Sequence, residues 1–402
     1  MTGTAAVDAG VVDVVCLGES MVTFLPSRPG RLADVPSFAR AIGGAESNVA
    51  CALAVAGHSV KWVSRVGADG FGDHLIAAVA AYGVDTGAVG RDPGRPTGIY
   101  FRTATDRATD AHEVVYYRAG SAASAMSPAN VPTGDLDRAR VLHLSGITAA
   151  LSPDCLALMR VLTARRPGRP LLSFDVNHRP GLGRDDPAVL LELARGADLV
   201  FVGEDEAEHA WGLHGPAAIR EALPEPAVLV VKQGARGAVA YAREARTTGP
   251  GRSAGSPATG PDARPGPGGS RETATHVPAP RVDVVAPVGA GDAFAAGFLS
   301  ATLRGLPLGA RLRHGHLMAA AALTVPGDLG SPPPAGLPGH HDPTAPAAHD
   351  PAARDLAGHD VAPLTLDHAD RLVALDDDGW GTLHLGPGWT AAAQATEEVR
   401  TP

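Results

Sequence analysis

Short runs of β-branched and aliphatic residues recur along the chain, each bounded by turn-forming residues, and they predict a series of strands. The predicted strands are 12–17, 60–66, 141–144, 171–176, 199–202, 228–232 and 282–285. Stretches rich in Ala and Leu and long enough for helices lie between them, at 48–56, 74–82, 154–164 and 188–195. Apolar strands that alternate with helices are typical of an α/β protein, in which helices cover both faces of a mainly parallel sheet.

Two further segments, about 21–41 and 97–118, alternate between apolar and polar positions and contain no intervening helical stretch. A period of two indicates strands with one buried and one exposed face. We therefore expect a small β-sheet that forms a lid over one end of the main domain, which we place at 12–330. Its exposed edges leave open a homodimer formed through the lid.

Two low-complexity segments interrupt this pattern. Half of the residues in 247–270 are Gly or Pro, and none is Ile, Leu, Val or aromatic. Such a segment cannot bury enough apolar surface to offset the entropy of ordering it, so we expect a disordered insert. The segment 332–362 is a similar insert, and 363–389 has the amphipathic pattern of a C-terminal helix followed by a tail with two tryptophans.

Composition and charge narrow the classes of partner. The net charge is −9 and the basic residues are scattered, so we expect no nucleic-acid partner, which would need a basic face. No apolar run approaches the length of about 20 residues that spans a bilayer, so we expect no membrane partner. The three cysteines are widely spaced and form no metal or disulfide pattern, which favours a cytoplasmic protein.

The sequence VDVVAPVGAGDAFAAGF, at 282–298, predicts a strand, a glycine-rich loop and an alanine-rich helix. Backbone N–H groups of Gly289, Ala290 and Gly291 at the start of this helix would form an anion hole. Asp292, one residue further on, could accept a proton from an alcohol nucleophile. The alternative is a capped helix after a tight turn.

A second glycine-rich segment, GGAESNVACALAVAG, precedes another predicted helix. Gly43 and Gly44 would let a polar ligand approach the backbone, and Asn48 could bind its hydroxyl groups. The alternative here is a helix N-cap formed by Ser47 or Asn48.

Together, in this order, the two segments closely resemble the two signatures of the ribokinase-like (PfkB) carbohydrate kinases, over about 12–326. The resemblance implies a doubly wound α/β fold with a β-sheet lid, and transfer of the γ-phosphoryl group of ATP, with Mg²⁺, to a hydroxyl of a small sugar or sugar acid. It also implies that Asp292 is the catalytic base and that Gly289, Ala290 and Gly291 form the anion hole.

Further residues take roles from the same resemblance. Glu206 matches the acid that organises Mg²⁺, although Gly203 replaces the Asn that usually begins this element. Lys232, Gly234 and Gly237 match the strand and turn beside the nucleotide. The alternative for Glu206 is an acidic residue at the start of a helix. The alternative for Gly234 and Gly237 is a pair of hairpin glycines.

Ala286 is a departure from the family pattern. Many relatives have Asp at this position, where it helps to bind a monovalent cation in the potassium-activated members. Because an Ala side chain has no ligand atom, we expect no monovalent cation to be used here.

Three segments resemble the 2-keto-3-deoxygluconate kinases within this family: YYRAGSA, FDVNHRP and TGIY. Arg118 and Arg179 from the first two would bind a substrate carboxylate, which an Arg fork recognises well. Tyr100 and Tyr116 would contact the sugar. A fructokinase or broad ketose kinase on the same scaffold stays open, as does a non-catalytic homologue that binds a sugar or nucleotide.

Overall fold

The structure is a computed structural model that describes residues 10–28, 30–103, 114–180, 186–243, 272–325, 327, 329 and 363–391. The two predicted inserts at 247–270 and 332–362 lie outside the described residues.

The described strands, in chain order, are β1 (Val12–Leu17), β2 (Met21–Pro26), β3 (Phe38–Gly43), β4 (Val60–Gly67), β5 (Val89–Asp92), β6 (Ile99–Arg102), β7 (Val114–Tyr117), β8 (Ala139–Ser145), β9 (Leu171–Asp175), β10 (Leu199–Gly203), β11 (Val228–Lys232), β12 (Ala238–Arg243), β13 (Glu272–Val277), β14 (Arg281–Val282) and β15 (His384–Leu385). The described α-helices are α1 (Ala45–Val55), α2 (Gly70–Ala80), α3 (Thr133–Leu136), α4 (Gly146–Ala150), α5 (Pro153–Thr163), α6 (Pro187–Gly196), α7 (Glu204–Trp211), α8 (Gly215–Ala222), α9 (Ala290–Leu303), α10 (Leu308–Leu323), α11 (Leu366–Val373) and α12 (Asp377–Gly381). Short 3₁₀ turns cover Ala123–Ala125 and Gly234–Arg236.

Among the described residues, nine strands form a large sheet in the order β13-β12-β11-β10-β9-β8-β1-β4-β5. The pairs from β5 to β11 are parallel, and β12 and β13 continue the sheet antiparallel. Val14 and Cys16 of β1 pack in one hydrophobic core, whereas Val15 and Leu17 pack in the other. Since successive side chains of a strand point to opposite faces, both faces of this sheet are covered, which confirms the predicted fold class.

A separate small sheet of four described strands, in the order β3-β2-β6-β7, is the predicted lid. Its aromatic side chains pack against one another: the Phe24 and Phe101 rings are stacked at 4.7 Å, and Phe38 meets Phe101 edge-on at 5.2 Å. β2 begins only a few residues after β1 ends, so the lid lies at the carboxyl end of the parallel strands.

The predicted strand 282–285 is shorter than expected and does not join the large sheet. Only Arg281–Val282 is extended, and it pairs in parallel with His384–Leu385 near the C-terminal end of the described chain. The backbone N–H groups of Val285 and Ala286 instead donate to the carbonyl oxygen of Leu323, at the end of α10. The apolar run predicted a strand because its valines are β-branched, but Val284 and Val285 are exposed.

The C-terminal part of the described chain packs against α9 and α10. Trp380 is fully buried there, and its indole Nε1 donates to the carbonyl oxygen of Pro278 at 2.9 Å. Arg313 of α10 lies over the Trp380 ring at 4.8 Å. Within the described ranges, the helices are too short or too polar to cross a bilayer.

Candidate active site

The two glycine-rich segments meet at one place in the structure. Asn48 in the first turn of α1 donates from Nδ2 to Oδ2 of Asp292 at 2.9 Å, although the two residues are 244 positions apart in the chain. Asp292 lies in the first turn of α9, which packs against α1. A candidate general base and a candidate sugar-binding amide are therefore in direct contact.

The start of α9 has the geometry of an anion site. Gly289 precedes the helix with φ 77°, in the left-handed region that a glycine adopts without strain. Gly289, Ala290 and Gly291 thus lie where a helix presents N–H groups that lack intrahelical partners and carry partial positive charge. A Cβ placed on Gly291 would lie 3.5 Å from Nζ of Lys232, so a basic side chain stands beside this helix end.

The other glycine pair has a packing role. A Cβ on Gly44 would lie 2.4 Å from the carbonyl oxygen of Glu19 and 2.8 Å from Cα of Ser20, so only glycine allows α1 to begin this close to the segment after β1. Gly43 pairs with Met21 inside the lid sheet. The close contact explains Gly44 without a ligand, and ligand binding by either glycine stays a prediction.

Lys232 is the positive charge at the centre of an acidic cluster. Its Nζ donates to both carboxylate oxygens of Asp175, at 2.9 and 3.1 Å. Burial disfavours the charged ammonium group, but Asp175, Glu206 and Asp292 outweigh it and raise the pKa of Lys232 above its ordinary value. Asp175 and Lys232 meet because each is the last residue of its strand, and these strands, β9 and β11, flank β10 in the parallel part of the sheet.

Glu206 forms the acidic helix start that the sequence allowed, and its role at Mg²⁺ stays a prediction. Its Oε2 accepts the N–H of Gly203 at 3.0 Å, which caps the start of α7, while Oε1 lies 3.9 Å from the guanidinium group of Arg179. Burial raises the pKa of Glu206, and Lys232 opposes that shift. Across the described ranges, His, Cys, Asp and Glu side chains form no cluster of three or more that could hold a metal ion. The Glu206 carboxylate is a ligand type that Mg²⁺ accepts, and this ion takes its other ligands from water and phosphate.

Gly234 and Gly237 lie in the turn between β11 and β12, with φ of 58° and 115°. A Cβ on Gly237 would lie 2.2 Å from the carbonyl oxygen of Val277. These are the hairpin glycines that the sequence allowed, and their contact with a nucleotide stays a prediction.

Arg179 follows β9 through a turn at Asn177, which has φ 42°. Asn tolerates this left-handed conformation better than most residues. The turn leaves the Arg179 side chain 51% exposed at the carboxyl end of the sheet. Its nearest hydrogen-bond acceptor is the carbonyl oxygen of His178, at 3.3 Å.

The lid contributes aromatic and basic side chains. Tyr100 of β6 is buried and lies opposite Tyr116 of β7, with the two ring centres 5.4 Å apart. Tyr116 is 47% exposed, and Arg118 lies 5.7 Å from the centre of its ring. Arg118 is largely buried because it forms an ion pair with Glu19, which follows β1.

Two buried acids near the lid were not identified from the sequence. Glu19 accepts a hydrogen bond from the hydroxyl of Ser121 at 2.6 Å, and Glu46 accepts hydrogen bonds from Ser145 and Thr148 at 2.7 and 2.8 Å. Burial raises the pKa of the Glu46 carboxyl. The sequence signal for Glu19 is its position just after β1, a strand that is buried on both faces. An acid there lies at the end of the sheet where ligands bind in α/β proteins.

These side chains lie near the carboxyl ends of the parallel strands and form the candidate site. A candidate base, a helix N-terminus and a lysine lie together, and two tyrosines and two arginines lie on the lid and at a neighbouring strand end. A hydroxyl held against Asp292 would face a phosphoryl group held at the start of α9, which is the arrangement that phosphoryl transfer to an alcohol requires. The site is that of a small-molecule kinase.

The chain belongs to the pfkB family of carbohydrate kinases, whose sequence profile matches residues 12–335. It is 32% identical over 326 residues to a 2-dehydro-3-deoxygluconokinase of Bacillus subtilis, covering 79% of this chain and 91% of that protein. It is 33% identical to fructokinase-1 of Oryza sativa subsp. japonica, covering 58% of this chain and 74% of that one. The crystal structure of a PfkB protein from Polaromonas sp. JS666 superposes with a TM-score of 0.64 at 32% identity, covering 77% of this chain and 95% of that chain. The resemblance inferred from the sequence is confirmed, and the chain is an ATP-dependent carbohydrate kinase.

Proposed function

We propose that this kinase phosphorylates a sugar acid of the 2-keto-3-deoxygluconate type, which is also named 2-dehydro-3-deoxygluconate. The observation that carries the proposal is Arg179, whose half-exposed side chain follows β9 at the carboxyl end of the sheet and lies 3.9 Å from Glu206 of the Lys232 cluster. Arg118 is the second arginine proposed for the substrate, and it is paired with Glu19. An exposed guanidinium group beside the residues proposed for phosphoryl transfer would bind a substrate carboxylate.

The roles proposed for the remaining residues are those that the family resemblance implies. Asp292 takes the proton of the attacking hydroxyl, and Asn48 holds the Asp292 carboxylate in place through its amide. The N–H groups of Gly289, Ala290 and Gly291 stabilise charge on the transferring group, and Lys232, Gly234 and Gly237 flank the nucleotide. Glu206 would hold Mg²⁺, which when bound with ATP neutralises charge on its phosphates. Tyr100 and Tyr116 contact the sugar through ring surface and hydroxyl groups.

A neutral ketose such as fructose is the second candidate. The observation that favours it is the ion pair between Arg118 and Glu19, because that pair offers a substrate carboxylate no net positive charge. The similarity to a fructokinase supports the same alternative. Gly203 and Ala286, which depart from the family pattern, are the reasons for testing turnover itself.

The experiment is a coupled ADP-release assay on the purified full chain with ATP and Mg²⁺. The substrates are 2-keto-3-deoxygluconate, 2-keto-3-deoxygalactonate, fructose, ribose and a nucleoside. We expect the highest kcat/KM with a keto acid. Turnover of fructose without turnover of the keto acids would contradict the sugar-acid proposal, and no ADP release with any substrate would indicate a non-catalytic homologue.

A further inference from the structure

The ion pair between Arg118 and Glu19 joins the lid to the main sheet. Arg118 follows β7 of the lid, and Glu19 follows β1 at the middle of the large sheet. The Glu19 side chain is 0% exposed and that of Arg118 is 12% exposed. Ser121 also donates to Glu19, so the carboxylate is held from two sides.

The burial of this pair matters for charge. An exposed pair is screened by water, but charges in a buried pair are compensated mainly by each other. The Arg118 guanidinium group therefore carries its positive charge against an adjacent full negative charge. Its Nε has no hydrogen-bond partner among the described residues but is buried, so a donor for a ligand has to come from the 12% of the side chain that is exposed.

Arg179 differs from Arg118 in both respects. Its side chain is half exposed, and its nearest carboxylate oxygen, on Glu206, is 3.9 Å away. Glu206 also interacts with Lys232, so its negative charge is shared between two cations. Of the two arginines proposed for the substrate, Arg179 is the one that is half exposed and whose ion pair with an acid is long, at 3.9 Å.

We infer that Glu19 is a specificity-determining residue, which cancels the charge of Arg118 and leaves the preference for a carboxylate-bearing substrate to Arg179. In this inference Arg118 donates hydrogen bonds to the bound sugar, and such bonds serve neutral sugars as well as sugar acids. This inference rests on the proposed function only in taking a sugar acid as one ligand of the site. It adds a residue that contacts no substrate but sets the charge that the substrate meets.

The test is the ratio of kcat/KM for 2-keto-3-deoxygluconate to kcat/KM for fructose, measured on one preparation of each variant. A ratio cancels any loss of folded enzyme. Glu19→Gln keeps the shape and can still accept from Arg118, but it removes the negative charge. We expect it to raise the ratio on the order of tenfold, the size of one charge–charge interaction at this range.

Arg118→Met leaves the Glu19 carboxylate unpaired, and we expect the ratio to fall on the order of tenfold. The double variant Glu19→Gln with Arg118→Met removes both charges, so its ratio should return to within about threefold of the unchanged protein. Ser121→Ala removes a hydrogen bond to Glu19 without changing charge, and it should leave the ratio within about twofold.

Two outcomes would overturn the inference. If the double variant is as poor towards the acid as Arg118→Met alone, Arg118 binds the carboxylate directly and Glu19 is not the determinant. If Glu19→Gln lowers the ratio, Glu19 acts only by positioning Arg118.

If the unchanged protein turns over fructose and not the acid, the proposed function fails. The same variants are then compared by the inhibition constant of the acid against fructose turnover, with the same expected order.

Discussion

The candidate site has two parts: the Asp292 end, with Asn48, Lys232 and Glu206, and the Arg118 end, with Glu19 and the lid. The two ends are assembled from different parts of the chain. At the Asp292 end, the residues come from the large sheet and from α1 and α9, and three acids surround a single lysine. At the Arg118 end, the residues come mainly from the lid, and Arg118 pairs with the buried Glu19 and also interacts with the charge of the buried Glu46. We propose that the first end holds the phosphates with their metal, and that the second end leaves the choice of sugar to hydrogen bonds and to Arg179.

The largest effect should come from removing the base at the first end. We expect Asp292→Asn to lower kcat by about 10³-fold, within the range for loss of general base catalysis, while ATP still binds. Turnover is measured by ADP release, and binding of a non-hydrolysable ATP analogue by calorimetry. Unchanged turnover would show that Asp292 is not the base, and a loss of ATP binding would show that the variant disrupts the anion site.

Removing the lysine at the same end should have the next largest effect. We expect Lys232→Met to lower kcat about 100-fold and to weaken ATP binding, because three acids would then face the phosphates without a cation. The matched control is Lys61→Met, since Lys61 lies 3.4 Å from Asp85 and 3.5 Å from Asp135 at the start of β4. Equal kcat values and equal ATP affinities for the Lys232→Met and Lys61→Met variants would contradict a role for Lys232 at the phosphates.

At the sugar end, Arg179→Ala should lower kcat/KM for a sugar acid by about 30-fold and for fructose by less than about threefold. The loss is selective because only the acid has a carboxylate to pair with Arg179. Arg160→Ala is the matched control, because Arg160 pairs with Glu192 on the exposed surface. Equal losses on both substrates would mean that Arg179 has a structural role at the end of β9.

The smallest effect should come from the monovalent cation. We expect exchange of potassium for sodium to change kcat by less than about twofold, because Ala286 offers no carboxylate to hold such an ion. A comparison at constant ionic strength separates this from charge screening. A tenfold activation by potassium would show that backbone oxygens alone can form that site.

The comparison also separates what sequence could predict from what it could not. Six of the nine described strands of the large sheet follow from apolar runs in the sequence, whereas β5, β12 and β13 were not predicted. The two glycine-rich segments were identified from their motifs, but the hydrogen bond between Asn48 and Asp292 was not predicted. Glu19 could not be identified, because its role depends on partners about 100 positions away: Ser121 is 102 positions distant. The predicted strand 282–285 extends beyond β14, because the end of β14 is set by its pairing with His384–Leu385. Local patterns predict backbone elements well, but the partner of a buried charge is set by tertiary structure.

A competition experiment tests the central claim most directly. Equimolar 2-keto-3-deoxygluconate and fructose are mixed with a limiting amount of ATP, Mg²⁺ and the full chain, and the phosphorylated products are separated and measured by mass spectrometry. We predict that the phosphorylated sugar acid exceeds fructose phosphate by about tenfold or more, as one charge-assisted contact would produce. A product that is mainly fructose phosphate would contradict the account.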